Sequence, residues 1–380
     1  MKRKNKPKIK KEKKNLKEDD NNFLNQKTKR KNKKNEEENA EEKEEKESNI
    51  SKGKDNINNN EQFQSNPKNI KRTNNIIQDS VIFNGRNFTF IVFKTIDNIF
   101  YIIYGTNRKS IIFYNLLDNK RMATIRDANS NYINYFRHIL DENNKRDLVL
   151  TYSCGSEGKN LKVWNVNNIE CIYSFKDILY YGIESCFLNY QNQIYIAIGE
   201  TSSYGPINVF DLKGNKGKKI HAIPQYLKYI ENYYDLQINK NFIISCDIYN
   251  IVLYDYNEDR TYHKFKEHCY NFSILNNKET VKLIEMGIGS IIMIWNIHSK
   301  ELLKKIKINN ISAFCVWNNN YIIMSDYLNN MIYAMNIDDE KKKKIISHSN
   351  SIVNIQKIIH PLFGECLLSQ DKKGIIKISY

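Results

Sequence analysis

The segment Gly155–Asn160, GSEGKN, is the part of this sequence closest in composition to a phosphate-binding loop. Such a loop needs the spacing G-x-x-x-x-G-K-[ST], and it opens a helix. GSEGKN lacks that spacing, and the apolar runs on either side of it predict strands. We therefore expect no nucleotide site here. The segment GIGS at 287–290 is interpreted as a tight turn between strands, for which glycine supplies the positive φ.

The histidine, serine and acidic residues do not form the patterns that catalysis or metal binding requires. The seven histidines contain no H-E-x-x-H motif or other close ligand spacing. No serine lies in a G-x-S-x-G elbow, and the carboxylates are scattered singly through the turns. We expect His268 and His348 to be buried structural donors, and Trp164 and Trp295 to pack between sheets. The prediction is a protein that is not an enzyme, with no cofactor, metal or small-molecule substrate.

The elements that position these residues are predicted to be strands, because short apolar runs alternate with turn residues from residue 80 onward. One slot recurs along this region, a large residue followed by Asn or Asp, with a degenerate last copy. The slot residues are Tyr114, Trp164, Phe210, Tyr254, Trp295, Met335 and Ser379, at intervals of 50, 46, 44, 41, 40 and 44 residues. A repeat of this length is typical of a β-propeller with four strands in each blade. The sequence therefore predicts an all-β fold, a seven-bladed β-propeller over residues 76–380.

The strands of each blade can be assigned from the same pattern, and one strand is missing at the end. Inner strands are predicted at 88–95, 133–141, 183–190, 233–240, 271–277, 311–318 and 352–359. Only six outer strands follow a third strand, because the sequence stops at Tyr380 inside the seventh third strand. An open ring would leave two blade edges unpaired. We therefore predict that residues 79–85, DSVIFNG, supply the missing strand and close the ring.

Four segments make residues 79–380 resemble the WD-repeat family. They are KVWN at 162–165, MIWN at 293–296, SHSNSIVNI at 347–355 and SQDKKGIIKIS at 369–379. The resemblance implies a buried, hydrogen-bonded set of a His before the inner strand, a Ser or Thr on the second strand, an Asp in the next turn, and the Trp. His348, Ser369 and Asp371 match three members, with Ser379 in the Trp position. His268 matches the His position in a blade that keeps Trp295 but has Gly287 in place of the Asp.

Tyrosines in the loops of one propeller face are the candidate partner-binding residues. Loops carry function because the strands below hold them in place, and exposed tyrosines favour interfaces. The candidates are Tyr180, Tyr181, Tyr204, Tyr226, Tyr229 and Tyr327. Tyrosine is common throughout this chain, so compositional bias is the alternative explanation. The predicted function is a non-enzymatic scaffold or adaptor that presents propeller loops to partner proteins.

The first 75 residues are predicted to be a disordered tail, because they hold two aromatic residues and few aliphatic ones. Residues 1–34 carry 16 basic and 4 acidic residues, whereas residues 36–47 carry 8 acidic and 2 basic residues. One interpretation is a solvated, low-complexity segment that reflects genome composition. The other is an arm that contacts RNA phosphates or directs nuclear import. The alternative function is therefore a nuclear or ribosome-associated factor whose basic tail contacts RNA.

Cysteine usage and hydropathy predict an intracellular protein in the cytoplasm or the nucleus. The seven cysteines include no C-x-x-C pair, and most lie in apolar runs, which is typical of reduced core residues. The N-terminus lacks the apolar core of a secretory signal, and no apolar run reaches 18 residues. We expect no membrane-spanning segment.

Overall fold

The computed structural model describes part of the chain, from residue 73 onward. The described ranges are 73–77, 90–106, 109–129, 132–155, 158–175, 183–200, 205–221, 227–247, 249–266, 269–276, 280–287, 290–318 and 320–380. Nearly all of the predicted tail, and the predicted closing strand at 79–85, lie outside these ranges. Within them the fold is all-β and contains seven four-stranded antiparallel sheets, so the predicted seven-bladed β-propeller is confirmed.

The 28 strands are grouped by their position in the blade. The inner strands of blades 1 to 7 are β2 (Phe90–Lys94), β6 (Ile133–Asp141), β10 (Ile183–Tyr190), β14 (Tyr229–Asp235), β18 (Cys269–Asn276), β22 (Ile311–Asn318) and β26 (Ile352–His360). The second strands are β3 (Phe100–Gly105), β7 (Arg146–Gly155), β11 (Gln193–Glu200), β15 (Lys240–Cys246), β19 (Val281–Gly287), β23 (Tyr321–Asp326) and β27 (Gly364–Asp371). The third strands are β4 (Ile111–Asn115), β8 (Gly158–Asn165), β12 (Ile207–Asp211), β16 (Ile251–Asp255), β20 (Ile291–Asn296), β24 (Met331–Asn336) and β28 (Ile376–Ser379). The outer strands are β5 (Lys120–Ile125), β9 (Glu170–Phe175), β13 (Lys216–Ile220), β17 (Arg260–Phe265), β21 (Leu302–Lys307), β25 (Lys342–Ser347) and β1 (Thr73–Ile77).

The recurrent Asn or Asp of the sequence repeat forms the turn that joins the third strand to the outer strand. In six blades its Oδ1 accepts the backbone N–H two residues further on, which is an Asx turn. The pairs are Asn115 with Leu117, Asn165 with Asn167, Asp211 with Lys213, Asp255 with Asn257, Asn296 with His298, and Asn336 with Asp338, at 2.8–3.1 Å. The repeat was therefore visible in the sequence because this turn needs a short side-chain acceptor.

Blade 7 takes strands from both ends of the described chain. Its order is β26, β27, β28 and β1, and the pairing of β1 with β28 places Thr73 opposite Ser379. The predicted closure by an N-terminal strand is therefore correct, but its residues are wrong, because Thr73–Ile77 and not 79–85 occupy the outer position. The strand also begins three residues before the predicted domain boundary between residues 75 and 76. The outer strand of a blade is held mainly by backbone hydrogen bonds and does not need an apolar sequence. The apolar run at 81–83 therefore led the prediction to the wrong segment.

Blade 4 differs from the prediction in its inner strand. β14 begins at Tyr229, whereas the predicted strand was 233–240. The turn falls at residues 236–239, where Asp235 Oδ1 accepts the N–H of Gln237 at 2.9 Å and Asn239 has a φ of 54°. No Gly or Pro lies in this turn, and apolar and polar residues continue to alternate through it. The predicted strand therefore ran past Asp235, where β14 ends.

Apolar packing between neighbouring sheets forms the core. Each of seven apolar clusters joins residues of two adjacent blades, and one of them joins blade 7 to blade 1. Among the cysteines, Cys186, Cys246, Cys269 and Cys366 are buried, and the six whose side chains are described have free thiols. In the described ranges, no helix is long and apolar enough to cross a membrane.

Two truncations that differ by five residues test the closure. Removing residues 1–72 should leave the thermal midpoint nearly unchanged, since β1 begins at Thr73. Removing residues 1–77 should lower the midpoint sharply or cause aggregation, because β28 loses its partner and blade 7 gains an unpaired edge. Differential scanning calorimetry of both proteins beside the full chain measures the effect. Equal midpoints for the two truncations would contradict the closure.

Candidate functional site

The turn after β23 presents two exposed residues on a rigid frame. Asp326 Oδ1 accepts the N–H groups of Leu328 at 2.9 Å and Asn329 at 3.2 Å, and its Oδ2 accepts the Asn329 side-chain amide at 2.7 Å. These bonds fix the backbone of the turn. Tyr327 and Leu328 lie at its tip with 45% and 65% of their surface exposed. The turn therefore offers an aromatic and an aliphatic side chain with little backbone entropy left to lose on binding.

An equivalent turn follows β15 in blade 4. Asp247 Oδ1 accepts the N–H groups of Tyr249 and Asn250, and Tyr249 is 49% exposed. Both turns join a second strand to a third strand, so they lie on the same face of the propeller, which we name the upper face. The opposite end, with the turns between first and second strands, is the lower face. The upper face thus carries at least two Asp-fixed turns with exposed tyrosines.

The six tyrosines predicted to bind partners have different outcomes. Tyr327 is exposed on the upper face, and its role in partner binding stays a prediction. Tyr229 is not in a loop, because it begins inner strand β14, and its ring packs edge-on against Phe272 at a centroid distance of 5.0 Å. Tyr180, Tyr181, Tyr204 and Tyr226 lie outside the described residues.

Tyr229 instead belongs to a charged cluster on the inner strands of blades 2, 3 and 4. The Arg137 guanidinium lies between the rings of Tyr135 and Tyr229, with its Cζ 4.9 Å from each centroid. Arg137 Nη2 is 3.7 Å from Glu184 Oε2. Residues of blades 2 and 4 can meet only beside the central axis, since blade 3 separates them elsewhere. Arg137 therefore crosses part of the channel wall.

Burial changes the ionisation of the acidic members of this cluster. Burial raises the pKa of Glu184 to about 7, although the nearby charges of Arg137 and Lys228 oppose the change. Burial also raises the pKa of Glu231, against the effect of Arg137 and of a hydrogen bond from Tyr229. Sequence reasoning missed this cluster because its members come from three blades and share no motif.

The residues that resemble the WD-repeat set are brought together in blade 7. His348 Nε2 is hydrogen-bonded to Ser369 Oγ at 2.7 Å, and His348 Nδ1 is 3.7 Å from Asp371 Oδ2. Asp371 Oδ1 accepts the N–H groups of Lys373 at 2.9 Å and Ile375 at 3.1 Å. Burial opposes the ionisation of Asp371, but its contacts with His348 and these N–H groups outweigh burial and lower its pKa. All three side chains therefore support the turn after β27.

Blade 2 contains the Trp and the Thr of the set that the resemblance implies. Trp164 is buried, and its Nε1 donates to Thr151 Oγ1 at 2.9 Å. Asn129, which precedes β6 by as many residues as His348 precedes β26, reaches the same hydroxyl at 3.5 Å. Sequence reasoning missed Thr151 and Asn129 because Asn replaces the His, and Ser153 stands where the Asp would be. The pairing of Thr151 with Phe136, which matches that of Ser369 with Ile355, identifies the position.

Trp295 of blade 5 lacks such an acceptor. Its Nε1 is buried and has no hydrogen-bond partner among the described residues. In this blade buried Glu285 occupies the position of Thr151, as its pairing with Met293 shows. His268 lies outside the described residues. The part of the chain that the structure describes holds no group of three or more His, Cys, Asp or Glu residues arranged to bind a metal.

Comparison with known proteins does not add a family to this geometry: no family model matches the chain, and no curated protein matches its sequence.

The two tryptophans allow a matched test of the buried hydrogen bond. Trp164→Phe should lower the free energy of unfolding by about 1 kcal/mol more than Trp295→Phe, because only Trp164 loses a hydrogen bond. Urea denaturation measures both values. Thr151→Val, alone and combined with Trp164→Phe, completes a double-mutant cycle that separates the bond from the change in packing. A coupling energy near zero would show that the bond contributes nothing.

The raised pKa of Glu184 predicts a pH-dependent stability. In the unfolded chain this carboxyl loses its proton near its ordinary pKa, whereas in the folded protein it retains the proton up to about pH 7. The folded state therefore binds more protons between these values, so this group makes stability fall as pH rises through that window. Glu184→Gln should raise the thermal midpoint more at pH 8 than at pH 5.5, relative to the wild type. A midpoint difference that is the same at both pH values would contradict the prediction.

Proposed function

We propose that this protein is a non-enzymatic interaction scaffold, whose upper-face turns bind partner proteins. The observation that carries the proposal is the pair of Asp-fixed turns that expose Tyr249, Tyr327 and Leu328. Tyrosine offers a large amphipathic surface and has few rotamers to restrict on binding. A rigid frame with such residues at its tips favours recognition of a protein surface.

We further propose that the blades are divergent WD repeats. The contact between His348 and Ser369 and the contact between Trp164 and Thr151 have the partners that the resemblance implies. Each blade holds only part of the set. A propeller of this kind acts as a scaffold by holding several turns at fixed separations, so that one partner can contact more than one blade.

Affinity capture with matched surface variants tests the scaffold. The tagged full-length chain is compared with Tyr327→Ser/Leu328→Ser on the upper face and with Tyr234→Ser/Leu236→Ser on the lower face. The control removes the same two residue types, and Tyr234 and Leu236 are exposed to a similar degree. Quantitative mass spectrometry should show that the upper-face variant loses specific partners at least tenfold, whereas the control retains them. Capture of the same proteins by both variants would overturn the assignment of the upper face.

The alternative function places RNA contact in residues 1–34, which lie outside the described residues. It stays a prediction, as does an intracellular location in the cytoplasm or the nucleus. The RNA contact and the upper-face turns involve different residues, so the two functions can be tested separately.

A further inference from the structure

The outer strands of the propeller have an unusual charge distribution. Five of the seven contain Lys or Arg and no Asp or Glu, and these are β5, β13, β17, β21 and β25. Acidic residues such as Glu258, Asp259 and Glu340 lie instead in the turns that precede these outer strands. Basic outer strands therefore alternate with acidic turns along the outer edge of consecutive blades 3 to 6, and Lys218 and Lys304 pair with Asp259 and Glu340 of these turns.

Two lysines at equivalent positions of these strands contact the neighbouring blade. Lys218 of blade 3 reaches the carbonyl oxygen of Tyr256 at 3.3 Å and Asp259 at 2.9 Å. Lys304 of blade 5 donates to the carbonyl oxygens of Ile337 and Asp338. Both contacts bring an outer strand against the third-to-outer turn of the next blade, so they join neighbouring blades at the rim. The remaining lysines are exposed beside them.

These exposed lysines form a surface that we name the basic belt. Its residues are Lys216, Lys219, Lys264, Lys305, Lys307, Lys342, Lys343 and Lys344. Charges on an edge strand protect it from pairing with another chain. β25 carries three lysines in succession. The outer strands of the belt hold many lysines and no acidic residue. This composition favours a polyanionic partner.

A cleft beside the belt distinguishes between polyanions. It lies where blade 5 meets blade 6 and has a volume of about 260 Å³. Its polar lining includes Asn309, Asp326, Tyr333 and Lys342, and the rest is mostly apolar, with Ile308, Ile311 and Met324. The Tyr333 ring packs partly against the apolar cluster of blades 5 and 6, and it lines the cleft beside Lys342. The part of the ring that faces the cleft offers a base a stacking surface, while the lysines of the belt contact the phosphates. The Asn309 side-chain amide can accept a hydrogen bond from an amino group of a base, whereas both oxygens of Asp326 already accept hydrogen bonds from the turn after β23.

We propose that the basic belt binds the backbone of single-stranded nucleic acid, with a base held in the cleft at Tyr333. The belt follows the convex rim over four blades, so a flexible strand can contact all of it, whereas a flat membrane would contact one or two blades at a time. An acidic peptide would satisfy the lysines but would not use the cleft. Binding through phosphates is insensitive to sequence and weakens steeply with salt.

Fluorescence anisotropy of a labelled, mixed-sequence single-stranded RNA tests the belt in the full-length chain. The belt variant replaces Lys305, Lys307, Lys342 and Lys344 with Gln. The matched control replaces four other exposed lysines, Lys94, Lys145, Lys372 and Lys373, with Gln, and so removes the same charge away from the outer strands. The basic segment 1–34 is identical in all three proteins, so differences among them report on the propeller.

The belt variant should bind at least tenfold more weakly than the wild type at 100 mM salt, and the control within twofold of it. Since each phosphate contact on a single strand contributes a log–log salt slope of about −0.7, losing four contacts should flatten the slope by about 3. Tyr333→Leu should weaken RNA binding and leave binding of a polyglutamate peptide unchanged. Thermal denaturation of each variant checks that it is folded.

Three results would overturn the proposal. The first is equal loss of RNA binding in the belt variant and the control, which would mean that only net charge matters. The second is belt-dependent binding to polyglutamate or to vesicles with 30% phosphatidylserine that is tighter than binding to RNA. The third is an RNA affinity and salt slope that the belt variant leaves unchanged.

Discussion

Each four-stranded sheet of this protein is apolar on both faces, and that constraint governs the rest of the structure. A sheet with two apolar faces is stable only between two other sheets, and each apolar cluster here joins two neighbouring blades. A linear stack would leave the first and last sheets uncovered. Closing the stack into a ring covers them, as the cluster shared by Ile102 of blade 1 and Leu368 of blade 7 shows. The inner strands then meet at the axis, which is why Arg137 can contact Tyr229 two blades away.

Because interblade packing holds the ring together, the polar contacts within a blade can vary. Blade 7 uses His348, Ser369 and Asp371, blade 2 uses Trp164 and Thr151, and blade 5 has Glu285 in the equivalent position. Variation of this kind weakens any sequence signature while it preserves the geometry. It also leaves the turns and the outer rim free to carry surface chemistry, since neither the upper-face tyrosines nor the exposed lysines belong to the core.

Most strand positions could be predicted from local sequence patterns. Features that depend on contacts between residues distant in the sequence could not. The inner strands 183–190 and 311–318 were predicted with the bounds that β10 and β22 have, because apolar residues there are followed by clear turn residues. The closing strand was misplaced because the sequence of β1, TNNII, is mostly polar. Within the candidate site, His348 and Ser369 followed from the resemblance to WD repeats, and Tyr327 followed from its place in a predicted loop. The Arg137 cluster and the roles of Asn129 and Thr151 depend on register between strands, which one sequence does not display.

The shared sheet of blade 7 also sets the order in which the protein can fold during synthesis. Thr73 pairs with Ser379 across about 300 residues, whereas each hairpin elsewhere joins segments close in the chain. Closing a loop of that length costs about 3 kcal/mol more than closing a ten-residue loop, by the logarithmic dependence of closure entropy on length. Blades 1 to 6 can therefore form while the ribosome still holds the C-terminal strands. Until β28 emerges, β1 has no partner, and one apolar face of blade 1 and one of blade 6 have no neighbour. The unfinished ring therefore exposes an unpaired edge and apolar surface, which favour aggregation.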